Sequence, residues 1–146
     1  MTPRQFLDEI AEPNVKELSA NPTSVRHAWI ALASLHHFED YFAVARGLSV
    51  EDARSELEKA DPYRIELLRH VANSFKHAEL VRGKFKGLSV RDVRVGSGAA
   101  FSDGSYYSDG TSHSDAPDVV RIEHDGQLID VPHLCETCLT AFKTKA

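Results

Sequence analysis

Apolar residues recur three and four positions apart from Phe6 to about Leu80, and from Val119 to Val131 they alternate with polar ones, so helices give way to strands along the chain. The opening TPRQFLDEIAEP sets Thr2 at an N-cap, Pro3 at the first helical position and Gln5 where a capping box needs it, with Pro13 as the stop of a short first helix. A second and longest helix spans about Ser24 to Arg46 and closes at Gly47, which takes a left-handed conformation readily. Ser49 caps a third helix over SVEDARSELEKA, with Asp52 at its third position. Asp61-Pro62 ends that helix and begins a fourth that runs to Gly83.

After Gly83 the pattern changes. VRDVRV is a candidate strand, and GSGAAFSDGSYYSDGTSHSDAPD has no helical period, which predicts a long loop or a loose hairpin. In that segment Tyr106 and Tyr107 are candidates for covering an edge or a dimer contact, and His113 has no evident partner. In DVVRIEHDGQLIDV, Asp125-Gly126 fits a two-residue type I′ turn. Counting outward pairs Ile122 with Ile129 and Val120 with Val131 on a dry face, and Arg121 with Asp130 on a wet one. Pro132 then opens a last helix whose Leu134, Cys138 and Phe142 recur at helical spacing. The expected fold is α+β, mainly α, in one domain: a bundle of about four helices over residues 1–83, a Gly/Ser/Asp-rich segment over 84–118, and a small antiparallel β-hairpin with a C-terminal helix over 119–146. Trp29 is expected to pack inside the bundle. GLSVEDAR at 47–54 and GLSVRDVR at 87–94 match at six of eight positions, but the first enters a helix and the second a strand-like segment, so the echo does not define a repeat.

Composition narrows the classes. At 146 residues the chain can bury a core without disulfides, and 17 Lys and Arg against 22 Asp and Glu give a net charge of −5, which argues against coating nucleic acid by bulk charge while leaving a local basic patch open. Two cysteines make no disulfide framework, and no N-terminal apolar run marks a signal peptide, so a cytoplasmic location is expected. The longest apolar-rich stretch, Ala28 to Ala45, is broken by His36, His37, Glu39 and Asp40, and no membrane span is expected.

The candidate chemistry lies on the fourth helix. Advancing about 100° per residue from Arg69 puts Leu67, Leu68, Val71, Phe75 and Ala78 on one stripe and Glu66, His70, Asn73 and His77 on the other, with Arg69 and Lys76 flanking them. Such a ladder is commonly a solvated helix side, yet His and Asn lower helix propensity and suit placed hydrogen bonds. The second helix carries its own polar seam of His36, His37, Glu39 and Asp40. If the seams face one another they line a cleft, where imidazoles oriented by carboxylates one turn away can move protons. In that cleft His70, His77, Arg69 and Asn73 are the candidate catalytic residues, with Lys76, Glu66, His36, His37 and Asp40 as binding residues. No cofactor is required, although inward His and carboxylates on facing helices could also hold a divalent metal.

A helical domain with Arg and His on its last long helix resembles the HEPN group, and Arg64-Ile-Glu-Leu-Leu-Arg-His70 fits that group's Arg-x4-6-His motif. The resemblance covers residues 24–83 at most. It implies RNA binding or metal-independent RNA cleavage, in which His70 or His77 would handle the 2′-hydroxyl or leaving-group proton, Arg69 and Lys76 would neutralise the phosphate, and Asn73 would position the backbone. ANSFKHAEL also resembles a pattern of uncharacterised small bacterial and phage proteins, which implies no activity. Two other readings use the same chain. One is a noncatalytic interaction module, binding an anionic ligand or a partner protein, a second copy included. The other is a metal-binding bundle, or a zinc site in which Cys135, Cys138 and His133 are joined by His124.

Overall fold

The computed structural model describes residues 1–77, 80, 84–96 and 118–146. Thr2 caps α1 (Pro3–Phe6) by accepting from the Gln5 N–H, and the Gln5 side chain returns a bond to the Thr2 N–H, so the capping box forms. Pro13 is not a stop. Residues Leu7–Ala11 form a π turn, in which the Glu12 N–H reaches the Leu7 carbonyl, and the chain continues as α2 (Glu12–Ala20). A proline inside a regular helix removes one N–H and presses its ring on the carbonyl four residues back. The wide turn opens the ladder at that point, and Pro13 becomes an opening residue of α2.

α3 (Val25–Arg46) begins where Ser24 accepts from the His27 N–H, and it ends at Gly47 with φ 65°. α4 (Val50–Glu58) is capped by Ser49, which accepts from the Asp52 N–H. α5 (Pro62–His77) is shorter than its pattern predicts. The Leu80 N–H donates to the Leu88 carbonyl at 2.9 Å and the Gly87 N–H to the Leu80 carbonyl at 2.7 Å, so by Leu80 the backbone is bonded across a loop rather than along a helix. Residues 78, 79 and 81–83, where the expected helix would end, lie outside the described residues.

The two GLSV stretches begin alike. Gly47 and Gly87 both have positive φ, and Ser49 and Ser89 both accept a backbone N–H, before α4 in one case and before a 3-10 turn (Val90–Asp92) in the other. That turn leads into β1 (Val93–Gly96), the strand foreseen in VRDVRV. β1 pairs antiparallel with β2 (Val119–His124), which pairs with β3 (Gln127–Asp130), in the order β1-β2-β3. Asp125 and Gly126 both have positive φ, at 50° and 73°, as a type I′ turn requires. Ile122 faces Ile129 and Arg121 faces Asp130 as the turn dictates. Val120 does not pair with Val131, because Val131 already opens α6 (Val131–Lys143); its partner is Val95. On the second face Arg94 and Leu128 are exposed and Glu123 and Asp130 half-buried, as expected, but Arg121 is buried and its guanidinium donates to the Gly96 carbonyl. Of the loop expected over residues 96–118, Gly96 ends β1 and Asp118 precedes β2, while residues 97–117, with Tyr106, Tyr107 and His113, lie outside the described residues.

The fold is α+β and mainly helical; among the described residues four α-helical runs, counting α1 through α2 as one, and a 3-10 turn precede the sheet, and α6 follows it. One apolar cluster runs through all of it. α6 lies at its centre, with Leu134, Cys135, Cys138, Leu139 and Phe142 facing helices on one side and β2 on the other. Phe142 and Phe38 have ring centroids 4.9 Å apart, and the Val120 N–H donates to the Pro22 carbonyl at 2.7 Å, which ties the sheet to the turn before α3.

Candidate functional site

The apolar stripe of α5 goes inward as its spacing predicts: Leu67, Leu68 and Val71 are buried and Phe75 is half-buried. On the polar side, Glu66 accepts from Lys84 Nζ at 2.9 Å and stands 4.0 Å from His70 Nε2. The His70 ring lies 4.6 Å from the Phe85 ring, which has His124 5.9 Å away. Burial, then the Arg69 charge, lowers the His70 pKa, with the Glu66 carboxylate working the other way. The imidazole is therefore neutral at neutral pH. Lys84 holds the Glu66 carboxyl below its ordinary value. Asn73 is half-buried, while Lys76 and His77 are exposed.

Arg69 turns toward α4, where Nη2 is 3.6 Å from Glu58. Arg69 Nε and Glu58 Oε1 are both buried without a hydrogen-bond partner among the described residues. Arg64, the other half of the Arg-x4-6-His spacing, bonds to Asp61 at 2.9 Å.

The polar seam of α3 divides. Glu39 is 3% exposed and accepts from Arg54 Nε of α4 at 3.1 Å. Burial works to raise its pKa, but the His36 imidazole and the Arg54 guanidinium outweigh burial and hold the carboxyl low. His36 Nδ1 is 3.7 Å from Glu39, too long for a hydrogen bond, so it acts through its charge when protonated. His37 and Asp40 pair at 3.3 Å in the open. The two seams meet at one place: His36 and His37 line a depression of about 180 Å³ with Trp29, Phe75 and Lys76. No hydrogen bond, ion pair or ring contact among the described residues joins either of them to His70 or His77.

The zinc arrangement does not form. Cys135 and Cys138 face the core, where burial pushes both thiols up, Cys138 to about 12. His133 is exposed at the start of α6 and His124 lies beside Phe85. Cysteines that fill a helix's apolar stripe cannot turn outward to share a metal with such residues. Among the described residues no group of three or more His, Cys, Asp or Glu is placed to hold an ion.

Trp29 is also not where its size suggests. It is 50% exposed, on the outer side of α3, with Val25, Tyr41 and Val44, the last 84% exposed. α3 carries large apolar residues on both sides: Ala28, Ala31, Leu32, Leu35, Phe38 and Phe42 occupy the core, and Val25, Trp29, Tyr41 and Val44 face out among Arg26, His37 and Asp40. Met1, Tyr41, Val44 and Ala45 shape a shallow depression of about 270 Å³ at its C-terminal end.

Three features escape a reading of the sequence. Arg54 belongs to a short helix with no polar seam to single it out, and Phe85 belongs to a segment with no period. The exposed row of α3 had a signal, since large apolar residues stand on both sides of that helix, but size alone assigned Trp29 to the core. No helix among the described residues is long and apolar enough to cross a membrane. No protein-family model matches the chain, and neither a curated protein nor a solved structure matches it.

Proposed function

We propose that the chain is a noncatalytic interaction module that docks a partner protein on the outer face of α3. The observation that carries this reading is the exposed apolar row of Val25, Trp29, Tyr41 and Val44 on one helix. Scattered exposed apolar residues are normal, but four large ones on the outer side of one helix, interspersed with Arg26, His37 and Asp40, make a mixed surface of the kind that marks an interface. Trp and Tyr are also side chains that concentrate binding energy. The test uses bis-ANS, a dye that binds exposed apolar surface, with the purified chain. It should bind, and binding should fall severalfold when Val25 and Val44 become Thr and Trp29 and Tyr41 become Gln. Equal dye binding in that variant would overturn the reading.

A second reading keeps RNA as the ligand, as the HEPN resemblance implies, with binding or metal-independent cleavage at His70, His77, Arg69 and Asn73. What supports it is Trp29 beside Lys76, His36 and His37, since an indole platform with cations at its rim suits a stacked base and its phosphate. Because Trp29 is the one tryptophan in the chain, its emission reports directly. Quenching by a single-stranded RNA oligomer, weakened by salt, would favour this reading over protein docking. Unchanged emission favours docking.

A further inference from the structure

Resting on the docking reading, we propose that the occupant of the outer α3 face is a second copy of this chain, crossing antiparallel about a two-fold axis at Ala33. Val25, Trp29, Ala33, His37 and Tyr41 follow one another at intervals of four and form a single row along α3, the type of ridge by which helices pack. The row is symmetric in a way that a two-fold axis uses. Trp29 and His37 each stand four residues from Ala33, Val25 and Tyr41 each eight, and Arg26 and Asp40 each seven.

Ala33 is the smallest side chain of the row, and a small residue at the crossing lets two helices approach to about 8 Å. With the copies antiparallel, Trp29 lies along His37 of the partner subunit, and Val25 reaches Tyr41 of the partner subunit, at the depression that Met1, Val44 and Ala45 complete. Arg26 meets Asp40 of the partner subunit, so the positive end of the face falls on the negative end. All these residues but the half-buried Ala33 are exposed, and each contact occurs twice in an isologous dimer. A parallel pairing would set Arg26 on Arg26 and Asp40 on Asp40, and like charges oppose it. The charge complementarity of Arg26 and Asp40 selects this chain over an unrelated protein as occupant.

The test is sedimentation of the full chain across about 0.1–100 µM, the range in which a modest interface dissociates, with Trp29 emission followed in parallel. The expected result is a doubling of mass that coincides with a blue shift of emission. Ala33→Arg should weaken association about a hundredfold or more by placing like charges at the axis. Because Ala33 is half-buried, the charge reversals supply a second check at exposed sites. Arg26→Asp or Asp40→Arg alone should weaken association about tenfold, and the double reversal should restore it. A chain that stays monomeric with solvent-exposed emission overturns the second copy while leaving the docking face bare. A monomer whose emission is blue-shifted at every concentration overturns both, since the face is then covered within one chain. Association that neither Ala33→Arg nor the reversals alter also overturns the proposal.

Discussion

Arg54 Nε donates to Glu39 Oε2 at 3.1 Å, joining α4 to α3 where Glu39 is shut away from water. Removing the cation strands a buried carboxylate, so Arg54→Met should destabilise the fold by about 2–3 kcal/mol in urea titrations, less than for a fully buried pair because Arg54 keeps 27% of its side chain exposed. Glu39→Gln removes the charge along with its partner's need and should cost about 1 kcal/mol. The folded carboxyl titrates below its ordinary value of 4.5, so the pair stabilises above that pH and the contribution is lost as pH falls through the lower, folded value. The acid limb of the stability curve should therefore flatten below about pH 4.5 in Glu39→Gln. A limb unchanged from that of the parent would contradict this account.

His70 also makes the fold less stable as the pH falls, because burial disfavours its protonated form. Its folded pKa lies below the ordinary 6.5, so between the two values the unfolded chain binds a proton that the folded chain refuses. Stability is full above about pH 6.5 and declines as pH drops through the folded value. Phe at position 70 can still stack on Phe85 but cannot titrate. The difference in melting temperature between pH 7.5 and pH 5.5 should be smaller in His70→Phe than in the parent, and subtraction of the two curves removes the shared contribution of the seven other histidines. Parallel curves would show that His70 titrates as it does in the unfolded chain.

The Asp125-Gly126 turn offers a test of backbone alone. A Cβ at Gly126 would meet nothing within 4 Å, but the residue holds φ at +73°, where side chains with a Cβ are strained. Gly126→Ala should lower stability by about 1 kcal/mol without altering the core, and the β2–β3 amide resonances should keep their positions. A neutral result would mean the turn relaxes to another type.

The elements that local chemistry controls were legible: the Thr2 box, the Ser49 cap, the left-handed Gly47 and the type I′ turn each depend on residues within four positions of one another. What failed depended on a competing contact. Pro13 was passed because the π turn rearranged the ladder ahead of it, and α5 fell short of Gly83 because the Leu80 backbone bonded to Gly87 and Leu88. The candidate site was less legible still, since a polar helix face does not say what covers it. Glu39 met a cation and Arg69 a carboxylate on α4, His70 met Phe85, and Lys76 met the α3 histidines.

Cys135 and Cys138 show how the same residues exclude one chemistry and permit a clean measurement. Their spacing of three suggested a metal pair, yet both sulfurs lie in the apolar stripe of α6, and Cys138 Sγ donates to the Arg64 carbonyl at 3.5 Å. Burial first, then the Asp61 charge, drives the Cys138 pKa to about 12, and burial raises Cys135 as well, so neither forms the thiolate that reacts with disulfide reagents at neutral pH. DTNB should therefore label neither cysteine in the native chain over minutes and both within seconds in denaturant. Zinc added in slight excess should leave the melting temperature unchanged, because an ion that does not bind the folded state cannot stabilise it. Cys138→Ser should destabilise, by about 1–2 kcal/mol, since a hydroxyl is more polar than the thiol it replaces in that packing. Rapid native labelling, or a zinc-dependent rise in melting temperature, would show that α6 presents these sulfurs to solvent.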